Sequence, residues 1–312
     1  MKTYLAPLEG VTDSVYRRLH QKYFPGVDRY YTPFFSPTAH RALTAREARE
    51  LPPADALPVP VIPQILTKNA EDFTWFASVA ASLGYKEVNL NLGCPSGTVV
   101  AKGKGAGMLR DPDGLDAFLE SIFRDAPLPI SVKTRLGINE SEEFPRLLAV
   151  LNRYPICELT LHPRVRTQFY KGQPDMESFR YCYENASAPV CYNGNLFTKS
   201  DMERISGHYP NCSALMLGRG LIADPGLCSG GTKRETLQAF LEELLESYIS
   251  VFGSERNAMF RLKENWHMLL HKFEDSEKLG KRLEKTTDAA EFRAITKEIF
   301  ETLPLRDDVI YE

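Results

Sequence analysis

Short apolar runs recur eight times through residue 217, and most are followed by a segment with helical spacing. The runs cover 3–7, 30–35, 61–66, 86–92, 129–134, 157–162, 188–192 and 213–217. Several, such as VIPQIL, ISVKT, ELTLH and ALMLG, read as continuous buried strands, as parallel strands covered on both faces do. Helical spacing appears at 13–23, 70–83, 113–123, 142–152, 176–183 and 199–205, with capping residues such as Asp13 and Asn69 at the starts. Repeated strand–helix order specifies parallel pairing, and eight strands close into an α/β fold of the (β/α)8 TIM-barrel type. The competing open, doubly wound sheet lacks its glycine fingerprint, since no G-x-G-x-x-G follows the first run.

Strand signals stop near Gly230 and Gly231. Beyond them, 235–252, 256–273, 276–285 and 288–303 read as helices, which specifies a C-terminal helical bundle. The expected division is a catalytic barrel over 1–231 and a helical domain over 232–312. Two stretches break the rhythm: 40–60, rich in Arg, Ala and Pro, and the Gly-rich loop 93–111. With 43% hydrophobic residues in 312, a sizeable core can be buried. A net charge of −3 gives no global attraction to nucleic acid and leaves only local basic grooves for it. No stretch approaches the ~20 apolar residues of a membrane span, and the start has no hydrophobic signal core, so the expected location is cytoplasmic. The six cysteines form no C-x-x-C pair and match no zinc spacing, so no metal is expected. Cys157 and Cys191 fall in apolar runs and are expected in the core.

The carboxyl ends of the strands form the active face of a parallel barrel, and polar residues gather there. The first run ends in Pro7-Leu8-Glu9-Gly10, either a plain turn or a close backbone approach to a flat ligand. Gln64 needs a partner once buried: a core amide or the edge of a flavin ring supplies one. Asn89 and Asn91 share a face by the two-residue period, and two buried amides are costly unless they bind something. Cys94 follows, between Gly93 and Pro95. Its thiol can serve as nucleophile or general acid, and an ordinary pKa of about 8.5 keeps it mostly protonated, which suits donation. Lys133 either snorkels or faces an electron-rich cofactor atom. His162-Pro163-Arg164 ends the sixth run, followed by RTQFYKG (166–172). Asn193-Gly194-Asn195 and Gly218-Arg219-Gly220 end the last two, where such barrels bind phosphate, and Arg219 adds a cation; a phosphorylated cofactor such as FMN fits.

Together these residues resemble the tRNA-dihydrouridine synthase family. The signature lies between Val88 and Ala106: Asn91-x-Gly93-Cys94-Pro95, then Val99, then Gly105-Ala106. The strand ends around Pro7–Gly10, Gln64, Lys133, 162–164, 193–195 and 218–219 also match, as does RTQFYKG. The resemblance covers the whole barrel, and the helical tail matches in position and type. Leu8 stands where Met is common, Pro163 where a small residue is usual, and Asn195 where Asp is frequent.

The resemblance implies an FMN enzyme that uses NADPH to reduce a D-loop uridine of tRNA to 5,6-dihydrouridine. Hydride goes from flavin to C6 of the uracil, and Cys94 gives a proton to C5. Pro7, Leu8, Glu9, Gln64, Lys133, His162, Asn193, Gly194, Asn195, Gly218 and Arg219 are implied to hold the flavin. Asn91 and Arg164 are expected to hold the base, which must leave its stack to react, and Lys102 and Lys104 to meet the tRNA. In the tail, Arg256, Arg261, Lys263, Lys272, Lys278, Lys281, Arg282 and Lys285 are tRNA candidates or members of a solvated face, since many alternate with Glu. The short start leans toward uridine 16 as target, and a monomer is expected. Two rivals are a flavin barrel acting on a free pyrimidine, like dihydroorotate dehydrogenase, and a non-catalytic tRNA-binding protein. The helical tail argues against the first, and the intact Gln64, Cys94, Lys133 and Arg219 set against the second.

Overall fold

The structure is a computed structural model that describes residues 1–38 and 40–310. Its strands are β1 (Lys2–Leu5), β2 (Arg29–Tyr31), β3 (Val61–Ile62), β4 (Gln64–Ile65), β5 (Val88–Leu92), β6 (Ile130–Arg135), β7 (Leu159–His162), β8 (Val190–Tyr192) and β9 (Ala214–Leu217). The helices up to β9 are α1 (Ser14–Tyr23), α2 (Ala45–Glu50), α3 (Ala70–Ser82), α4 (Gly97–Ala101), α5 (Pro112–Asp125), α6 (Phe144–Leu151), α7 (Met176–Asn185) and α8 (Lys199–His208). After it come α9 (Arg219–Ala223), α10 (Arg234–Phe252), α11 (Glu255–Leu269), α12 (Glu277–Lys285) and α13 (Ala289–Thr302).

All strand pairs are parallel, in the order β3-β2-β1-β9-β8-β7-β6-β5-β4. The two ends of that order, β3 and β4, are neighbours in sequence, separated only by Pro63. Proline has no N–H to give to a ladder, so the expected strand 61–66 divides there. Its first half pairs with β2 and its second with β5. The Pro63 carbonyl still accepts from the Asn89 N–H at 2.8 Å. Eight strand positions therefore meet in a ring, the TIM-barrel fold that the repeated pattern implies. The expected run 30–35 is shorter as a strand; Phe35 contributes an isolated bridge to Ile65. The Gly-rich loop contains α4 and a 3-10 turn, Gly105–Arg110, neither of which its composition announces.

The ring lies in a compact body made of Met1–Pro7, Asp28–Asn195 and Ile205–Met216. Tyr4, Ala6, Tyr31, Ile62, Cys191, Ala214 and Met216 form one buried cluster within it. Near the amino ends of the strands the core turns polar. The hydroxyls of Tyr4 and Tyr31 both donate to the buried Glu158 carboxylate, at 3.2 and 3.4 Å, and Arg29 pairs with Glu87 at 3.1 Å. Cys191 is buried as expected, but Cys157, just before β7, is exposed.

The second body comprises Leu8–Val27, Leu196–Arg204 and Leu217–Glu312. It is helical, and all four tail helices occur. Tyr16, Tyr23 and Phe24 of the α1 region set their rings against Phe240 of α10, while Lys22 and the Tyr23 hydroxyl share Glu243. The Gly220 position admits no side chain, because a Cβ there would collide with the Leu196 carbonyl oxygen. Lys272 is not a surface cation: its ammonium is buried, 2.7 Å from the equally buried Asp224. Arg261 is likewise engaged, by the Gly10 carbonyl and Asp13. Lys278, Lys281, Arg282 and Lys285 are exposed along α12. Removing one partner of a buried ion pair strands the other's charge. Lys272→Met is expected to lower unfolding free energy by about 3–5 kcal/mol in urea titrations, and the double change Lys272→Met with Asp224→Leu to recover much of it.

Candidate active site

The register of the ring sets the site. Gln64 pairs with Asn89, Asn89 with Ser131, Asn91 with Lys133, and Lys133 with Thr160. Register partners on parallel strands share a face, so these side chains stand in two adjacent layers. Arg135 and His162 form the next pair toward the carboxyl ends.

The amides of the two layers are joined end to end. Oδ1 of Asn91 accepts the backbone N–H groups of Gly93 and Cys94, at 3.0 and 2.9 Å. A backbone N–H can only donate, so this oxygen is fixed as the acceptor and Nδ2 of Asn91 must donate onward. It does so to Oε1 of Gln64 at 2.8 Å. Nε2 of Gln64 donates to Oδ1 of Asn89 at 2.8 Å, and Nδ2 of Asn89 to Oγ of Ser131 at 2.9 Å. Beyond Ser131 lies Glu87, whose carboxyl pKa is raised by burial against the opposing pull of the Ser131 hydroxyl and Arg29. The expected cost of burying two asparagines is thus met within the protein. Gln64 keeps one N–H and one lone pair for a ligand.

Cys94 stands at the upper end of this chain. Its carbonyl accepts the Ala106 N–H at 3.1 Å. Gly105 lies across it with φ at +57°, and a Cβ there would come within 3.0 Å of both Cys94 and Val99. The turn therefore needs glycine to close over the thiol.

Lys133 is different. Its ammonium has no hydrogen-bond or ion-pair partner among the described residues. Burial pushes its pKa down from 10.5 to about 7, with Arg135 adding to the effect and the Cys191 and Cys94 thiols opposing it. An unpaired, half-buried cation beside a lone amide edge fits an electron-rich ring such as a flavin.

Two arginines, Arg135, which the sequence pattern does not single out, and Arg166, the first residue of the RTQFYKG run, grip the thiol loop. Arg135 is buried, donating from Nε to the Gly93 carbonyl at 2.9 Å and from NH1 to the Val165 carbonyl at 3.2 Å. Burial pulls its pKa down to about 10. Arg166 donates from Nε to the Pro95 carbonyl at 3.1 Å. The only signal for Arg135 is a cation near a strand end, which Arg164 offers equally.

Arg164 is tied into its own loop. Its guanidinium is wholly buried, donating to the carbonyls of Lys171 and Gly172, to Oδ1 of Asn195, and to Nε2 of His162. It braces the 163–172 loop. Because guanidinium only donates, Nε2 of His162 accepts, which leaves the proton of a neutral ring on Nδ1.

A family model for dihydrouridine synthase (Dus) matches residues 4–304. The chain belongs to the dihydrouridine synthase family. It is 26% identical over 315 residues to a tRNA-dihydrouridine(16) synthase of Neisseria meningitidis serogroup B, covering 94% of this chain and 93% of that one. It is 30% identical over 238 residues to a tRNA-dihydrouridine(16) synthase of Aquipseudomonas alcaligenes, covering 73% and 74%. A probable tRNA-dihydrouridine synthase of Rhizobium leguminosarum bv. phaseoli is 29% identical over 80% of this chain and 79% of its own. Among solved structures, morphinone reductase in complex with tetrahydroNAD shares the fold, at TM-score 0.51 and 10% identity, over 73% of this chain and 85% of that one.

The remaining family positions fall as follows. Asn193 donates from Nδ2 to the Met216 carbonyl at 2.8 Å, and Gly194 lies against the Tyr192 hydroxyl so closely that a Cβ would collide with it. Lys104 donates to Ser36 at 3.1 Å, and Lys102 is exposed. Pro7 closes the β1 segment of the first body. Leu8, exposed Glu9, Gly218 and Arg219 belong to the second. There the Leu8 carbonyl accepts from both Val11 and Thr12, and Arg219 lies over the Phe197 ring at 5.4 Å. No helix among the described residues is long and apolar enough to cross a membrane, and no group of three metal-ligating side chains occurs among them.

Lys133 gives a pH signature to the ligand-free protein. Unfolded, it binds its proton up to about 10.5; folded, it releases it near 7. Between those values the unfolded state holds more protons, so stability rises with pH, by at most about 1.4 kcal/mol per unit. Lys133→Met is expected to remove that part of the rise in denaturant titrations between pH 7 and 10. An identical slope in the variant would show that Lys133 stays charged.

Proposed function

We propose that this chain is an FMN-dependent tRNA-dihydrouridine synthase that uses NADPH to reduce a D-loop uridine. The family match and the names of its relatives support the substrate class. The observation that carries the mechanism is the layered row Gln64–Asn91–Lys133, with the thiol of Cys94 at its open end.

Gln64 offers its remaining amide N–H and lone pair to the edge of the flavin ring. Lys133 sets an ammonium against the ring's electron-rich side, where an anionic ligand would restore its charge. His162 would lie beside the ring, and Pro7, Leu8 and Glu9 would offer it backbone contacts. By the family resemblance, Asn193, Gly194 and Asn195 would hold the ribityl phosphate, and the resemblance gives Gly218 and Arg219 the same role. A bound FMN reduced by NADPH would supply the hydride that reaches C6 of the uracil. Every other step belongs to the protein. Asn91 keeps one amide hydrogen for the base. Cys94 delivers its thiol proton to C5 as the ring gains charge there, and its fixed backbone holds Sγ in one place for that transfer. Lys102 and Lys104 meet the phosphates of the strand that enters, and 232–312 serves as the tRNA-binding domain. We place the target at uridine 16, following the named relatives, and the enzyme as a cytoplasmic monomer.

Cys94→Ala separates the two halves of the reaction. The variant is expected to keep bound FMN and to oxidise NADPH, but to form dihydrouridine in unmodified tRNA about 10²–10⁴-fold more slowly, the usual contribution of a general acid. Undiminished tRNA turnover would remove Cys94 from the acid role.

A further inference from the structure

Phe169 stands out in the 166–172 run, since the chemistry above leaves it unused. Its side chain is 42% exposed, and its backbone sits at φ +51°, a conformation that a bulky residue takes only when its surroundings impose it. The imposing contacts are on both sides. The Phe169 N–H donates to the Arg166 carbonyl at 3.1 Å, and the Lys171 N–H to the Gln168 carbonyl at 2.8 Å. Oε1 of Gln168 accepts from the Val165 N–H at 2.8 Å, and Arg164 clamps the Lys171 and Gly172 carbonyls. The ring is therefore held toward solvent by a stiff loop instead of folding back onto apolar surface.

Behind it lies a cation. The Arg166 guanidinium is 5.2 Å from the ring centroid, and the same side chain donates to the carbonyl of Pro95, the residue after Cys94. One arginine thus joins an exposed aromatic ring to the loop of the reactive thiol. An exposed ring backed by a cation is the element on which proteins stack single-stranded bases. When the reacting uridine leaves its stack, a neighbouring base loses a partner for one face, and a rigid ring at the rim of the site replaces it.

We propose that Phe169, backed by Arg166, stacks on a nucleotide adjacent to the reacting uridine. The proposal rests on the reading of the chain as a tRNA-modifying enzyme, and it adds a contact that selects the strand around the target rather than the target itself.

The test uses FMN-loaded enzyme and tRNA transcripts with 2-aminopurine on either side of the target uridine. Wild-type enzyme is expected to quench the probe at one flanking position. Phe169→Ala loses that quench and raises KM for tRNA about 10-fold, equivalent to about 1.4 kcal/mol, with a smaller change in kcat. Phe169→Tyr restores both. Phe169→Gly, which accepts the positive φ without strain, is expected to unfold no earlier than wild type and still to lose the quench, which separates stacking from folding. Quenching and KM unchanged in Phe169→Ala would overturn the proposal while leaving the enzyme's reaction intact. Wild-type enzyme that forms no dihydrouridine in any transcript would instead overturn the functional reading beneath it.

Discussion

Two backbone N–H groups, from Gly93 and Cys94, converge on Oδ1 of Asn91, and much of the site's order follows from that convergence. Because neither donor can reverse, the Asn91 amide has one orientation, and so in turn do Gln64 and Asn89. The same two bonds hold the peptide on which the Cys94 thiol is carried. The amide edge of Gln64 and the Cys94 thiol are therefore positioned by one interaction, and the thiol loop cannot shift without turning the amide chain. Arg135 and Arg166 add a second restraint by taking the carbonyls on either side of the cysteine.

Lys133, unlike the Asn91, Gln64 and Asn89 amides, has no hydrogen-bond or ion-pair partner among the described residues. A half-buried ammonium without a partner lowers stability, whereas at the polar floor of the barrel the buried Glu158 carboxyl receives two tyrosine hydroxyls. The contrast places the unmet electrostatic demand at the carboxyl ends of the strands, where a ligand of such a barrel binds.

The fold was legible because it rests on periodicity. The runs Val88–Leu92 and Ile130–Arg135 start with apolar residues at every second position, and the same two-residue period put Asn89 and Asn91 on one face. What stayed hidden depends on pairing between distant segments. The division of one strand at Pro63 shows only once its halves pair with different neighbours. Ser131, an ordinary serine in a buried run, gains meaning only as the acceptor of Asn89. Arg164 and Arg135 are both cations near strand ends, and sequence does not tell which is a strut of its own loop and which holds the loop of Cys94. Lys272 shares the spacing of the exposed tail cations, yet the burial of Asp224 beside it makes it a core residue.

The central claim is that this site reduces a uridine within tRNA. Its most direct measurement is mass mapping of an unmodified tRNA after incubation with the FMN-loaded enzyme and NADPH. A gain of two hydrogens confined to a single D-loop uridine is expected. A tRNA recovered without any such gain, from enzyme that binds FMN and oxidises NADPH, would contradict it.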